Sequence, residues 1–364
     1  MSAEDLFIGL MSGTSADAID AVLVRIADSG YVEHVAHEST PMPETLATQI
    51  FALQTGDSRD IHDVCTLDVN LAQLYADTVA ALLHKCAVSS SDVVAIGNHG
   101  QTLLHYPDSD PSFTLQVGDN HRLAELTGID VVGDFRRRDL AAGGQAAPLI
   151  PAFHRALMQS KDSVAFVNIG GIANVTVLRG EETLGFDTGP GNTLMDAWIR
   201  REKNQPYDNS GAWARTGVVN KKLLAQMLAD PYFVRPAPKS TGQDFFNLEW
   251  LAEKITSELS LEDIHRTLLD LTAITTCDAV VESGSKMVFI FGGGRHNEFL
   301  IERTQDLLGE VPLASTLQLG VDPDYMEATA FAWLAKQRLQ GKPGNDPRVT
   351  GAKGKRLLGV IFPA

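Results

Sequence analysis

The sequence has few cysteines and a deficit of basic residues. Its three cysteines, Cys65, Cys86 and Cys277, lie far apart and include no Cys-x-x-Cys pair. This pattern argues against a disulfide framework or a cysteine zinc cluster and fits a reducing cytosol. Lys plus Arg number 30 against 46 Asp plus Glu, which gives a net charge of −16. Because this surplus repels polyanions, we expect neither a nucleic-acid nor an anionic-membrane partner.

Long apolar runs and two common nucleotide-binding motifs are also missing. The first apolar run, residues 6–10, follows Glu4 and Asp5 without a basic segment, so no signal peptide is predicted. No run reaches transmembrane length, and a cytoplasmic protein is expected. The chain contains no G-x-x-x-x-G-K-[ST] loop and no G-x-G-x-x-G turn after a strand. A nucleotide would therefore need a different set of turns.

Apolar strands alternate with small-residue turns and helical patterns, which predicts an α/β fold. Strands at 6–10 and 21–24 flank a turn at 11–15, and strands at 164–167 and 175–178 repeat this layout. The chain therefore looks like two related halves. Further helices are predicted at 71–84, 223–228, 297–308 and 326–340, and a loop at 341–351.

The length of 364 residues exceeds that at which a single core keeps growing, so two domains are expected. Prolines 148 and 151 and the polar stretch 159–163 interrupt the pattern. The predicted domains are 1–155 and 156–364, with the option that the last helix packs back on the first domain.

Three turns are candidates for binding phosphate. Gly13-Thr14-Ser15 follows a strand and offers backbone N–H groups and two hydroxyls, while Asp17 and Asp20 lie within reach of a phosphate-bound cation. The alternative is a hairpin turn whose polar side chains satisfy their own backbone. Two companion turns, which also let backbone approach a ligand, favour the ligand site; they comprise Asn168, Gly170 and Gly171, and Gly292, Gly293 and Gly294.

Several motifs in order along the chain closely resemble the anhydro-N-acetylmuramic acid kinase family. The resemblance runs from about Gly9 to the C-terminus, and Ala18 stands where the family usually has glycine. Besides the glycine turn at 292–294 and the terminal Thr350-Gly351, the motifs are residues 10–15 (LMSGTS), 98–102 (NHGQT), 134–136 (DFR), 143–145 (GGQ), 168–171 (NIGG), 186–192 (FDTGPGN) and 238–242 (PKSTG).

This resemblance implies an enzyme that uses ATP and water on 1,6-anhydro-N-acetylmuramic acid and forms N-acetylmuramic acid 6-phosphate during peptidoglycan recycling. It further implies two actin-like domains with mixed sheets flanked by helices, the nucleotide in the interdomain cleft, Mg²⁺ as cofactor and a homodimer. By the same comparison Asp187 matches the catalytic base, and Glu327 matches a carboxylate near the sugar. The matching ATP-binding segment comprises Gly13, Thr14, Ser15, Ala16, Asp17, Ala18, Ile19 and Asp20.

Asp187 is also a candidate from its local sequence. It is predicted to end a strand and precedes Gly189-Pro190-Gly191, a position that presents a carboxylate at the mouth of a cleft, where exclusion of water would tune its pKa. The alternative is a cap for the following helix, although Asn192 could provide that cap itself.

The substrate restricts what this base can do. In a 1,6-anhydro sugar, O6 is bonded to C1 and carries no proton for a base to remove. The hypothesis is that Asp187 deprotonates a water that attacks C1 while the departing O6 attacks the γ-phosphorus in line.

The remaining candidates concern substrate binding. One arginine of the basic run 136–138 is expected to pair with the lactyl carboxylate of the sugar, and Arg136 is the candidate assigned to the substrate. A solvated surface turn is the alternative for the run as a whole. His99 and Gln101 follow a predicted strand and are assigned to sugar oxygens, with a structural role as the alternative. Asn192 is assigned to the substrate as well. Glu327 has an alternative role beside the N-terminus of its helix.

Two other functions stay open from the sequence. One is a related kinase that phosphorylates an ordinary amino-sugar hydroxyl. The other is an actin-like switch that binds ATP and closes without acting on a sugar. Lys239 and Ser240 are expected to approach the nucleotide or to close a lid.

Overall fold

The computed structural model describes residues 5–28, 30–56, 60–158, 162–237, 239–255 and 258–364. Two compact units divide these residues. The first contains those up to Leu157 together with Leu319–Ala364, and the second contains those from Met158 to Gln318. The expected boundary at 155/156 lies two residues from that at 157/158, and residues 319–364 group with the first unit. Glu4, Pro238 and residues 159–161 of the predicted linker lie outside the described residues.

The strands and helices follow one another along the whole chain. The strands are β1 (Leu6–Ser12), β2 (Ala18–Ile26), β3 (Val32–Pro41), β4 (Val93–Asn98), β5 (Gln101–Tyr106), β6 (Phe113–Val117), β7 (Val131–Gly133), β8 (Val164–Ile169), β9 (Ile172–Arg179), β10 (Glu182–Pro190), β11 (Met287–Phe291), β12 (Leu313–Ser315) and β13 (Val360–Phe362). The helices are α1 (Glu44–Thr55), α2 (Ile61–Cys86), α3 (Asn120–Thr127), α4 (Arg137–Ala141), α5 (Ile150–Leu157), α6 (Thr193–Lys203), α7 (Lys221–Leu228), α8 (Leu248–Lys254), α9 (Leu261–Ser283), α10 (Glu298–Leu308), α11 (Met326–Leu339) and α12 (Pro347–Thr350). Short 3-10 turns lie at Ser90–Asp92, Asn209–Gly211, Ala214–Thr216, Gly293–His296 and Thr316–Leu319.

Each unit contains a mixed sheet, and the two sheets share a strand arrangement. The first has the order β13-β7-β4-β1-β2-β3 and the second the order β10-β9-β8-β11-β12. In each, three successive antiparallel strands begin the unit, and a later strand, β4 or β11, pairs in parallel with the first of them. A further parallel strand follows in each sheet, β7 or β12, and β13 then pairs antiparallel with β7. Helices flank both sheets, so the α/β class is confirmed and the two halves are related as predicted. A separate hairpin, β5-β6, accompanies the first sheet.

Each unit also has its own hydrophobic core. In the first, Ile8 of β1 and Leu71 of α2 belong to one buried cluster. In the second, Val167 of β8, Trp198 of α6 and Leu268 of α9 belong to another. Central strands are buried along nearly their whole length, as expected for strands with both faces covered.

The backbone of α11 comes unusually close to the first sheet. A Cβ on Gly9 of β1 would collide with the carbonyl of Ala328, and one on Gly97 of β4 would collide with the carbonyl of Phe331. Glycine is therefore required at both strand positions. This contact fixes the first turn of α11, which carries Glu327.

Most predicted elements are confirmed, and two predictions are wrong. Asp187 does not end its strand, because β10 continues to Pro190 beyond a bulge after Asp187. The predicted loop at 341–351 contains α12, whose first residue is a proline and whose N-cap, Asp346, accepts from the Arg348 N–H. Among the described residues, no helix combines the length and apolarity needed to cross a bilayer.

Candidate active site

The turn between β1 and β2 is held in place from both sides. The Ala16 N–H donates to the Gly13 carbonyl at 3.1 Å, and the Gln101 amide donates to the same oxygen at 3.0 Å. Ala16 has a φ of +51° and is buried, whereas Thr14 and Ser15 are exposed. The turn therefore has a fixed backbone and presents two hydroxyls to solvent.

The remaining residues of the predicted ATP-binding segment, 17–20, differ in how deeply they are buried. Ala18, Ile19 and Asp20 belong to β2, and the Ile19 side chain is in the core, so only its backbone is available to a ligand. Asp17 is exposed. Asp20 is half-buried and accepts from Ser39 Oγ at 2.8 Å, and burial raises its pKa. Within the described residues, neither aspartate belongs to a group of three metal-ligating side chains.

His99, Arg136 and Glu327 meet in the first unit, although they lie far apart in sequence. Strands β1 and β4 are parallel, and His99 follows β4 just as the Gly13 turn follows β1, so both lie at the carboxyl edge of the sheet. Arg136 Nε donates to His99 Nε2 at 3.0 Å, so that nitrogen is the acceptor and the ring is neutral. Burial holds the pKa of His99 well below its ordinary value.

Glu327 adds the negative charge of this group. Burial raises its pKa, the charge of Arg136 acts in the opposite direction, and Asp20 raises it further. Arg136 itself has its pKa lowered to about 10 by burial, against the favourable effect of Glu327. Because the charges of Arg136 and Glu327 act on each other's pKa, these two side chains lie near one another beside the neutral His99.

The three consecutive arginines have different environments. Arg136 is partly buried and also donates from Nη1 to the Ala146 carbonyl at 2.7 Å. Arg137 is exposed and pairs with Asp134 at 2.8 Å, and Arg138 is exposed. The structure therefore separates one arginine of the site from two on the surface.

A buried carboxylate that the sequence reasoning missed holds the neighbouring loops. Asp139 is fully buried and accepts from the Ala146 N–H at 2.9 Å, from Asn345 Nδ2 at 2.6 Å and from Thr350 Oγ1 at 2.9 Å. It joins the GGQ motif at 143–145 to the terminal Thr350, and it fixes the carbonyl that orients Arg136. The hydrogen bonds from Asn345 and Thr350 could not be predicted, because these two residues lie 206 and 211 positions from Asp139 in the sequence.

In the second unit, the predicted glycine turns converge. The N–H groups of Gly191 and Asn192 donate to the carbonyls of Gly171 and Gly170, at 2.9 and 2.8 Å. Gly292, with a φ of +84°, lies so close to the end of β8 that a Cβ would collide with the Asn168 side chain. The turns after β8, β10 and β11 therefore form one group.

A cavity of about 560 Å³ opens beside these turns within the second unit. That volume is typical of a small-molecule site. Asn192, Gly293 and Gly294 line it, together with residues that the sequence reasoning missed, namely Met195, Asp196, Tyr207, Asp208, Asn209, Ser210, His296 and Asn297. The available signal was the position of Asp196 four residues after Asn192, which directly precedes α6. Burial raises the pKa of Asp196 to about 6.

Asn192 does not cap α6 with its side chain, contrary to one alternative. Its Nδ2 lies 3.5 Å from the Ile169 carbonyl, and the helix has no side-chain cap bond. Asp187 does not cap the helix either, because Asp187 Oδ2 accepts from the Thr241 N–H at 3.0 Å.

Asp187 is half-buried and firmly oriented. Its N–H donates to the Lys239 carbonyl at 2.9 Å, and its carbonyl accepts from the Tyr232 hydroxyl at 2.7 Å. Burial raises the pKa of the carboxyl to about 6, although the bond from Thr241 acts against this. Its second carboxylate oxygen makes no hydrogen bond within the described residues. The group can therefore take up a proton near neutral pH.

Lys239 has a local structural role in this unit. Its ammonium donates to the carbonyls of Tyr232 and Phe233, at 3.2 and 3.0 Å, and so closes the segment that leads to Thr241. The lysine thereby positions the N–H that orients Asp187.

The chain matches the family model described as anhydro-N-acetylmuramic acid kinase over residues 5–364. It is 44% identical over 364 residues to the anhydro-N-acetylmuramic acid kinase of Aliivibrio fischeri, across 98% of this chain and 99% of that protein. It is 45% identical over 366 residues to the enzyme of that name from Coxiella burnetii, across 99% of this chain and 98% of that protein.

Solved structures with distant similarity include component A of the (R)-2-hydroxyglutaryl-CoA dehydratase from Acidaminococcus fermentans, with 12% identity, coverage of 90% of this chain and 96% of that one, and a TM-score of 0.48. Another is a ROK family glucokinase from Streptomyces griseus, with 14% identity, coverage of 91% and 99%, and a TM-score of 0.41. No residue role is transferred from either.

Substituting Asp139→Ala should destabilise the first unit by roughly 3 kcal/mol, because it leaves the buried Ala146 N–H, Asn345 amide and Thr350 hydroxyl without their acceptor. Urea denaturation measures this loss. Glu33→Ala, which removes an exposed ion pair with Arg25, is the control and should change little. Equal stability of the two variants would contradict the role of Asp139.

Proposed function

The chain belongs to the anhydro-N-acetylmuramic acid kinase family, and on that premise we propose how its residues couple opening of the 1,6-anhydro ring to phosphorylation at O6. The product is N-acetylmuramic acid 6-phosphate. The observation that carries this assignment is the state of Asp187. It is a half-buried, oriented carboxylate with a raised pKa, and one of its oxygens has no hydrogen-bond partner in the part of the chain that the structure describes.

ATP is assigned to the glycine turns. The nucleoside would occupy the cavity lined by Asn192, Asp196 and Gly294, whose volume suits a ligand of this size. The phosphates would bind backbone N–H groups of the turn that contains Gly13 and the hydroxyls of Thr14 and Ser15. This choice is supported by the fixed backbone and the exposure of that turn.

Mg²⁺ is assigned to the carboxylates that follow this turn. Asp17 and Asp20 offer hard oxygen ligands, and a cation bound mainly by phosphate oxygens and water needs only one or two of them. The raised pKa of Asp20 reflects a carboxylate that a cation would stabilise in its charged form. When bound, Mg²⁺ screens the charge of the β- and γ-phosphates.

The anhydro sugar is assigned to the His99, Arg136 and Glu327 group. Arg136 uses Nε and Nη1 within the protein, and its remaining N–H groups suit the lactyl carboxylate. Glu327 would accept from a sugar hydroxyl or amide. Gln101 has a supporting role in this proposal, because its side-chain amide donates to the Gly13 carbonyl and so holds the neighbouring turn.

In the proposed reaction, O6 needs no proton to lose, because it is released from C1 as it bonds to phosphorus. Asp187 takes a proton from the water that attacks C1, the C1–O6 bond breaks, and O6 forms a bond to the γ-phosphorus as ADP leaves. The carboxyl must be ionised to act as a base, and its pKa near 6 keeps it ionised at neutral pH while leaving useful basicity.

A cytoplasmic location, a role in peptidoglycan recycling and a homodimer complete the assignment. The acidic composition and sparse cysteines support the location, and membership in the family supports the pathway and the dimer.

Isotope labelling tests the reaction against its alternatives. In ¹⁸O-water, a short reaction should place one solvent oxygen at C1 and none in the phosphate, and ADP should form only when the anhydro sugar is present. An ordinary hydroxyl kinase would leave the sugar unlabelled apart from slow anomeric exchange, which a control incubation of finished product measures. Sugar-independent release of ADP would instead indicate a switch.

The pH dependence tests the base. Because protonation inactivates Asp187, kcat/KM should fall about tenfold per pH unit below pH 6. Asp187→Asn should lower kcat by roughly 10³-fold and abolish that limb of the profile. Asp244 is an exposed carboxylate of the neighbouring segment. The Asp244→Asn control should keep the wild-type kcat and the same fall of kcat/KM at low pH. An Asp187→Asn enzyme with the wild-type rate would refute the role.

A further inference from the structure

Strand β3 carries two histidines that a regular strand would separate. Residues three apart in a strand point to opposite faces, as His34 and His37 would. The register of β3 against β2 shifts between Leu23 and Val24, so Val35 is an extra, bulged residue. The bulge returns His34 to the face of His37.

The two rings are close enough to share one ligand. His34 Nε2 lies 3.0 Å from His37 Nδ1. Two imidazole nitrogens bound tetrahedrally to one Zn²⁺, each at about 2.0–2.1 Å, are about 3.3 Å apart. The observed separation needs only a small ring adjustment to reach that value.

A carboxylate from another segment completes the group. One ligand atom each from His34, His37 and Asp322 lie within 4.8 Å of one another, and all three residues are partly buried. All ligands of one tetrahedral ion would be about 3.3 Å apart, so binding requires side-chain rotations that bring the three ligand atoms closer together by up to about 1.5 Å. Gly320, with a φ of +77°, lies against the Val32 carbonyl and fixes this segment on β3.

The surroundings of the group favour a cation. Tyr325 stacks on His37 with ring centroids 4.3 Å apart, which restricts the ring. The pKa of Tyr325 is raised to about 12, mainly by burial and then by the negative charges of four nearby carboxylates. The four carboxylates belong to Asp20, Asp322, Asp324 and Glu38.

We propose that His34, His37 and Asp322 bind a divalent transition-metal ion of the Zn²⁺ class, with water completing its coordination. Two imidazoles and one carboxylate form a donor set that suits zinc and its neighbours better than Mg²⁺. The ion would tie β3 to the segment that enters α11, five residues before Glu327. The ligands of this site differ from Asp17 and Asp20, which are assigned to the cation that accompanies ATP, and the test of the site does not require the proposed kinase reaction.

Calorimetric titration of Zn²⁺ into the untagged, chelator-treated full chain tests the site. We expect one ion per chain and, at 100 times the dissociation constant, a rise in Tm of roughly 5 °C. His37→Gln should weaken binding by roughly 100-fold, and Asp322→Asn, which retains the shape of the side chain, by roughly 10-fold. Both should lose the Tm shift at the concentration that saturates the wild type.

His62→Gln is the matched control, because His62 is exposed beside Asp63 and belongs to no three-ligand group among the described residues. It should bind Zn²⁺ as the wild type does. If His37→Gln fails to fold, His34→Gln and Asp322→Asn decide the question. Absence of stoichiometric binding by the wild type, or unchanged affinity in the β3 and Asp322 variants, would overturn the site and leave a simple hydrogen-bonded histidine pair.

Discussion

The first unit depends on the close contact between the α11 backbone and two parallel strands. Gly9 and Gly97 permit that contact because they have no side chain where the carbonyls of Ala328 and Phe331 lie. Through this packing, the first turn of a helix near the C-terminus is fixed beside residues that follow β4. The position of Glu327 relative to Arg136 is therefore a consequence of backbone packing, which tolerates little change.

Burial then sets the chemistry of the charged groups. Desolvation raises the pKa values of Asp20, Asp187 and Glu327, and each group has a specific contact that acts against this. Ser39 and Thr241 donate to the two aspartates, and Arg136 offsets the charge of Glu327. A carboxyl balanced in this way has a pKa above that of an exposed one, which is what a general base such as Asp187 requires.

Much of the fold could be predicted from local sequence. The buried strands at 6–10 and 164–167 and the glycine turns after them were identifiable, because an apolar run indicates a buried strand and a glycine indicates a turn wherever they occur in a sequence. The end of β10 was misplaced, since a bulge after Asp187 lets the strand continue through a glycine and a proline. The helix within 341–351 was missed although a proline and an aspartate mark its start.

The site was predicted less completely than the fold. The glycine turns and Asp187 were recognisable from motifs, whereas the group of His99, Arg136 and Glu327 brings together residues up to about 230 positions apart. Asp139 was missed because its partners come from two distant loops. The histidine pair of β3 was not identified because only the bulge at Val35 places both rings on one face.

The role of the α11 contact is tested most directly by the free energy of unfolding of a Gly97→Ala variant. A methyl group at this position meets the Phe331 carbonyl, and a loss of roughly 3 kcal/mol is predicted. Gly128→Ala, where the space is open and only a positive φ is strained, should cost about 1 kcal/mol. A Gly97→Ala protein as stable as the wild type would show that the helix is free to move away, and would contradict the proposed basis for the position of Glu327.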